Sequence, residues 1–104
     1  MGTKTQELIQ VLNDIEAVLQ KDESKWQESI SRANNRIKNS DYSGIELLLS
    51  YYGGMGSFND LIIGQHSVNG KFEWKDNSKE NNKKLETLRS KAYDLAFYIK
   101  HNHE

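Results

Sequence analysis

Tyr51-Tyr52-Gly53-Gly54-Met55-Gly56-Ser57-Phe58-Asn59-Asp60 is the stretch whose reading decides the fold. Three of the chain's seven glycines stand within these ten residues. An apolar helical run stops at them, and a new apolar segment starts a few residues later. Glycine serves where φ is positive or where another group approaches the backbone closely, so the sequence marks this corner as the chain's least ordinary turn. The corner also gathers two tyrosines, a methionine, a phenylalanine and an Asn-Asp pair near one point. Such a grouping predicts a recognition surface built on a turn that bulkier residues could not make.

Upstream of the corner, residues 42–52 carry Ile45, Leu47, Leu48, Leu49, Tyr51 and Tyr52, apolar nearly all round, which predicts the most buried helix of the fold. It ends at Gly53-Gly54, as helix C-termini commonly do. Asn39-Ser40-Asp41 separates it from a helix that Ser24 caps, with Gln27 in the capping-box position. That helix has one narrow stripe, Trp26, Ile30, Ala33 and Ile37, and is otherwise polar, Asn34 included; it suits an outer position. Residues 3–21 form the first helix, with Leu8, Leu12, Ile15 and Leu19 at the helical period and Ile9, Val11 and Val18 widening the face. Thr3 or Thr5 caps it, and Glu7 lies in its first turn, where a carboxylate favours the helix dipole.

Downstream, Asn69-Gly70 between alternating apolar runs is a strong hairpin signal, because a type I′ turn needs positive φ at both central residues. A two-residue loop there sets Ser67 opposite Phe72 and Gln65 opposite Trp74, and puts Leu61, Ile63, Phe72 and Trp74 on one face. Residues 57–63 are alternatively a short helix capped by Ser57. Asp76-Asn77-Ser78 lead into a last helix reaching about His101. Leu85, Leu88, Ala92, Leu95 and Ile99 keep its period, Ala96 lies alongside, and Tyr93, Phe97 and Tyr98 widen its apolar face. The expected fold is mainly α: an antiparallel bundle of about four helices. A small β-hairpin insertion over residues 61–75 covers one end or edge, in a single domain spanning residues 1–104.

Composition bounds the function. The chain has 104 residues, 36% hydrophobic and 28% charged, and a formal net charge of −1. A nucleic-acid binder usually carries a basic surplus that releases counterions from phosphates, and there is none overall. No stretch has the apolar length of a bilayer span, and no leader-like segment opens the chain. The absence of cysteine excludes a disulfide framework and a thiolate metal site. The expected setting is the cytoplasm, with no nucleic acid, no membrane and no cofactor.

Candidate chemistry is thin. His101 and His103, two residues apart at the terminus, do not share a helical face, and His66 lies in the hairpin; a metal site needs three or four fixed ligands, so the histidines read as surface residues. Glu46 and Asp60 flank the corner without a serine, cysteine or histidine to complete a catalytic constellation, and Asp60 or Asn59 reads more simply as a cap for the turn. Gly53-Gly54-Met55-Gly56-Ser57 lacks the lysine of a phosphate-binding loop and follows a helix rather than a strand. The aromatics around the corner are core, with Tyr52, Phe58 and Trp74 the ones expected to be partly exposed.

Residues 47–63 resemble a family of small uncharacterised bacterial domains in which a leucine- and tyrosine-rich helix runs into Gly-Gly-Met-Gly-Ser-Phe-Asn-Asp. A Leu-Arg-Ser-x-x-Tyr-x-Leu-Ala helix follows near the C-terminus, here Leu88-Arg89-Ser90-Lys91-Ala92-Tyr93-Asp94-Leu95-Ala96. Domains of this kind often resemble immunity proteins, which bind and neutralise a cognate toxin. The resemblance therefore implies a protein partner, a toxin domain, and no enzymatic activity. Its departure is electrostatic, since immunity proteins against nucleases are strongly acidic and this chain is near neutral.

The partner-facing residues expected from the sequence are Tyr52, Met55, Phe58, Asn59, Asp60, His66 and Trp74. Aromatic and polar anchors there would give specificity, and steric occlusion would give inhibition. The alternatives are a small-ligand or enzymatic domain, its pocket under the corner lined by Tyr51, Tyr52 and Glu46, and a homodimeric helical scaffold.

Overall fold

Four helices form where apolar residues repeat at the helical period, in a computed structural model that describes residues 2–21, 25–53, 58, 61, 65–68, 71–74 and 78–102. They are α1 (Thr3–Lys21), α2 (Trp26–Lys38), α3 (Ser43–Ser50) and α4 (Ser78–Asn102). Neighbours run antiparallel. Asn34 of α2 meets Asn13 and Glu16 of α1, and Tyr51, closing α3, reaches back to Ser29. Tyr52 meets Arg89, and Lys91 of α4 meets Glu7 of α1. Contact between α1 and α4 closes the ring.

The expected β-hairpin insertion over residues 61–75 is corrected here: the fold is a helical bundle, and among the described residues no sheet layer spans that range. Among the described residues, extended backbone is confined to two four-residue segments, Gln65–Val68 (β1) and Lys71–Trp74 (β2). They pair antiparallel, Gln65 opposite Trp74 and Ser67 opposite Phe72. Leu61 belongs to neither. It packs half-buried on the helical core, its N–H donating to the Phe58 carbonyl at 3.2 Å. Burial against helices thus takes the side chain that was expected to start an apolar sheet face, and a lone two-stranded ribbon has too little surface to form a layer itself. Ile63 lies outside the described residues, as do Ser24 and Ser57.

The core is one cluster drawn from all four helices. Its largest share comes from α1, whose Leu8, Leu12, Ile15 and Leu19 are fully buried. This corrects the expectation that the helix after Asp41 would be the most buried. In α3 Gly44, Ile45 and Leu48 are buried while Leu47 and Leu49 are half-exposed, because an eight-residue helix between two neighbours leaves its outer side uncovered. The start of α1 also differs from expectation. The Gly2 carbonyl accepts from the Gln6 N–H at 3.1 Å, Thr5 is buried within the helix, and Glu7 lies beyond the first turn.

The turn between α2 and α3 is made by backbone. Ser40 has φ of 58°, its N–H donates to the Ile37 carbonyl at 3.0 Å, and the Asp41 N–H donates to the Arg36 carbonyl at 2.9 Å. This pair of bonds is a Schellman ending, with serine where glycine is usual. The Asp41 carboxylate then accepts from the Ser43 N–H at 3.0 Å, satisfying a first-turn donor of α3. The Ser43 bonds hold the Asp41 carboxyl below its usual range, with nearby Arg36 adding to the effect. Gly44 is where α3 crosses α2 most closely: a Cβ there would stand 2.8 Å from the Ala33 carbonyl oxygen and from Arg36 Cβ.

A polar contact joins α1 to α2. The Asn34 amide is fully buried and donates to Asn13 Oδ1 at 2.9 Å and to Glu16 Oε2 at 2.8 Å. The Asn34 carbonyl oxygen, buried in the same seam, has no hydrogen-bond partner among the described residues.

Candidate functional site

Successive helical residues point about 100° apart, so Tyr51 and Tyr52 leave the end of α3 toward different helices. Tyr51 turns to α2: its hydroxyl donates to the Ser29 carbonyl at 2.9 Å, and its ring meets Trp26 edge-on at 5.4 Å. Tyr52 turns to α4, where its hydroxyl donates to the Arg89 carbonyl at 2.7 Å. Phe58 fills the space between them. It is fully buried, 5.3 Å from Trp26 and 5.6 Å from Tyr52 between ring centroids.

Arg89 pins the chain beyond the corner. Its Nη1 donates to the carbonyl oxygens of Phe58 at 3.0 Å and Leu61 at 3.1 Å, and its guanidinium stands 5.9 Å from the centre of the Phe58 ring. The Phe58 N–H in turn donates to the Tyr51 carbonyl at 3.0 Å. Burial pushes the Tyr52 hydroxyl far above the usual tyrosine range; the Arg89 charge works against this and the Asp94 charge with it. Burial raises Tyr51 too, against the charges of Arg32 and Arg36. Both tyrosines are therefore neutral hydrogen-bond donors in the folded chain, placed for structure rather than for proton transfer.

Of the residues expected to face a partner, Tyr52 is half-buried and keeps one edge at the surface. Phe58 is corrected from surface anchor to core, because Trp26, Tyr52 and Arg89 enclose it. Met55, Asn59 and Asp60 lie outside the described residues. His66 stands on β1 opposite Glu73, and Trp74 on β2 opposite Gln65. Glu46 is exposed on α3. Among the described residues nothing lies within 4 Å of where a Gly53 Cβ would be, and its φ is not left-handed, so neither strain nor close approach by them requires glycine there.

The cavity beside Tyr52, of about 290 Å³, opens toward α4 instead of Glu46 and is lined by Tyr52, Ser90, Tyr93 and Asp94. A second, of about 340 Å³, lies at the other end of the bundle, with Ile37, Ile45 and Ile99 among its walls and Thr5 and Asp41 beside them. Among the described residues no three His, Asp or Glu side chains gather as a metal site would require.

The sequence reading missed the outer face of α4. Tyr93, Phe97 and Tyr98, read there as apolar face, are 38%, 48% and 43% exposed. Tyr52 meets Tyr93 at 5.1 Å, Tyr93 stacks on Phe97 at 6.1 Å, and Phe97 meets the His101 ring at 4.2 Å. These rings form a row continuing the corner's aromatics out to solvent. The signal was present in the spacing: residues 93, 97 and 101 are four apart and lie off the arc of Leu85, Ala92, Leu95, Ala96 and Ile99, which already fills the core side.

A family model described as a domain of unknown function, DUF6966, matches residues 19–72, just over half of the chain. The matched range takes in α2, α3 and the corner. No curated protein and no solved structure matches the chain. No helix among the described residues is long and apolar enough to cross a membrane.

Proposed function

The chain belongs to the DUF6966 family of domains of unknown function, and from that premise we propose that it is a protein-binding module. In its most concrete form it is an immunity-type protein of the bacterial cytoplasm that neutralises a toxin by covering the toxin's working surface. The observation that carries the reading is the exposed row Tyr93-Phe97, continuous with half-buried Tyr52. Exposed aromatics gathered in one patch are uncommon on a protein that meets nothing but water, and tyrosine is enriched where partners bury most of their binding energy. The binding face thus moves from the corner's glycines to α4, with the corner as its support. A net charge of −1 favours a target that does not depend on a strongly acidic mimic of nucleic acid.

A small-ligand reading draws on the cavity beside Tyr52. Growth rescue separates the readings: cells expressing a toxin captured by this chain from its host should survive with the wild-type chain and die with a Tyr93→Ala, Phe97→Ala variant of unchanged melting temperature. Full rescue by that variant would remove the α4 face from the proposal.

A further inference from the structure

We propose that the cavity between Tyr52 and Tyr93 receives a cationic side chain of the protein partner, an arginine guanidinium, held against the Asp94 carboxylate. The inference rests on the protein-binding reading above and adds the chemistry of the partner residue. Two aromatic side chains, the Ser90 hydroxyl and one carboxylate line the cavity. No basic side chain is among these lining residues.

Asp94 forms no salt bridge or hydrogen bond among the described residues. The lysine three positions before it on α4, Lys91, is instead directed to Glu7 of α1 at 3.5 Å. The other basic group close by, Arg89, is tied to the Phe58 and Leu61 carbonyls on the corner side. The negative charge of Asp94 is felt as far as the Tyr52 hydroxyl, so the carboxylate adjoins the aromatic wall.

An unpaired carboxylate beside flat aromatic surfaces is complementary to a flat cation. Guanidinium stacks flat on a ring face while its edge donates to a carboxylate, whereas an ammonium is a compact, more strongly hydrated charge that cannot stack and fork in this way. An acidic or purely apolar partner group would leave Asp94 repelled or unpaired at the contact. The volume, about 290 Å³, has room for one such side chain.

The test titrates N-acetyl-arginine methylamide into the full chain and follows backbone amide NMR shifts. Lysine, norleucine and glutamate analogues run in parallel. The arginine probe is expected to shift Ser90, Tyr93 and Asp94 with a dissociation constant on the order of a millimolar, as suits a single side chain binding alone. Asp94→Asn, at an exposed position, is expected to weaken it roughly fivefold or more without moving the melting temperature. Equal shifts with the lysine, norleucine or glutamate probe overturn the inference, as does an arginine response that survives Asp94→Asn. Shifts at Phe97 that grow with protein concentration alone would assign the face to a second copy and overturn it too. If the arginine probe fails while Tyr93→Ala, Phe97→Ala still abolishes growth rescue, the protein-binding reading stands and this inference falls.

Discussion

The two ends of α3 are turned by different means. At the Asp41 end the work falls mainly to backbone: a Schellman ending with Ser40 at φ of 58°, a carboxylate cap, and Gly44, where a Cβ would stand 2.8 Å from a carbonyl of α2. At the Tyr51 end side chains do it: two hydroxyls donate to carbonyls of two different helices, one buried phenyl ring sits between them, and an arginine draws the following chain onto α4. Gly53, in the glycine-rich motif, has space around it, while solitary Gly44 has none. Of these two glycines, the one outside the dense motif is the one that packing requires. Close approach depends on what packs opposite.

The largest expected effect is at the side-chain turn. Phe58→Ala empties a fully buried ring site and should lower unfolding stability by about 3–5 kcal/mol, read as a fall in denaturant midpoint. A loss under about 1 kcal/mol would mean that the corner does not depend on that ring. Next comes Gly44→Ala. Overpacking against the Ala33 carbonyl costs about 1–3 kcal/mol, from which up to about 1 kcal/mol of helix propensity is regained, leaving a net loss in the same measurement.

Tyr52→Phe removes the hydroxyl bond to Arg89 and should cost about 0.5–1.5 kcal/mol near neutral pH. Its pH dependence is more telling. The folded-state pKa of Tyr52 is raised, so its contribution is fully present below the unfolded value of about 10 and is lost as pH rises beyond it. Wild-type stability should fall above that pH, and less steeply in the phenylalanine variant; parallel alkaline limbs would contradict the neutral, buried hydroxyl.

The smaller effects have the opposite sign. Ser40→Gly relieves a left-handed residue and should raise stability by about 0.5–1 kcal/mol. Gly53→Ala should change it by between zero and about +1 kcal/mol. Were Gly53→Ala to cost more than Gly44→Ala, the contrast between the two turns would be reversed.

The helices were legible because their apolar residues recur at one period and one face, and the α1 bounds at residues 3 and 21 follow from that repeat. Gly44 was not, because the atoms it avoids belong to another helix. Phe58 followed a run of small residues and read as an exposed anchor; Trp26 and Arg89, distant in sequence, decide its burial. The aromatics of α4 were read as core because they are apolar, although alanine, leucine and isoleucine already occupy the inner arc. Asn34 looked like part of a solvated face. It is fully buried, and its amide finds its acceptors on α1.

That single amide has a consequence for the bundle's phase. A slip of α2 along α1 by one turn, about 5.4 Å, would break the present pairing of the Asn34 donors with both Asn13 and Glu16. An interface of interchangeable leucines and isoleucines would slide with little penalty. Here a slip disrupts two hydrogen bonds of a buried amide, so the present setting is favoured, and what α2 carries, Trp26 beside Phe58 included, is indexed to it.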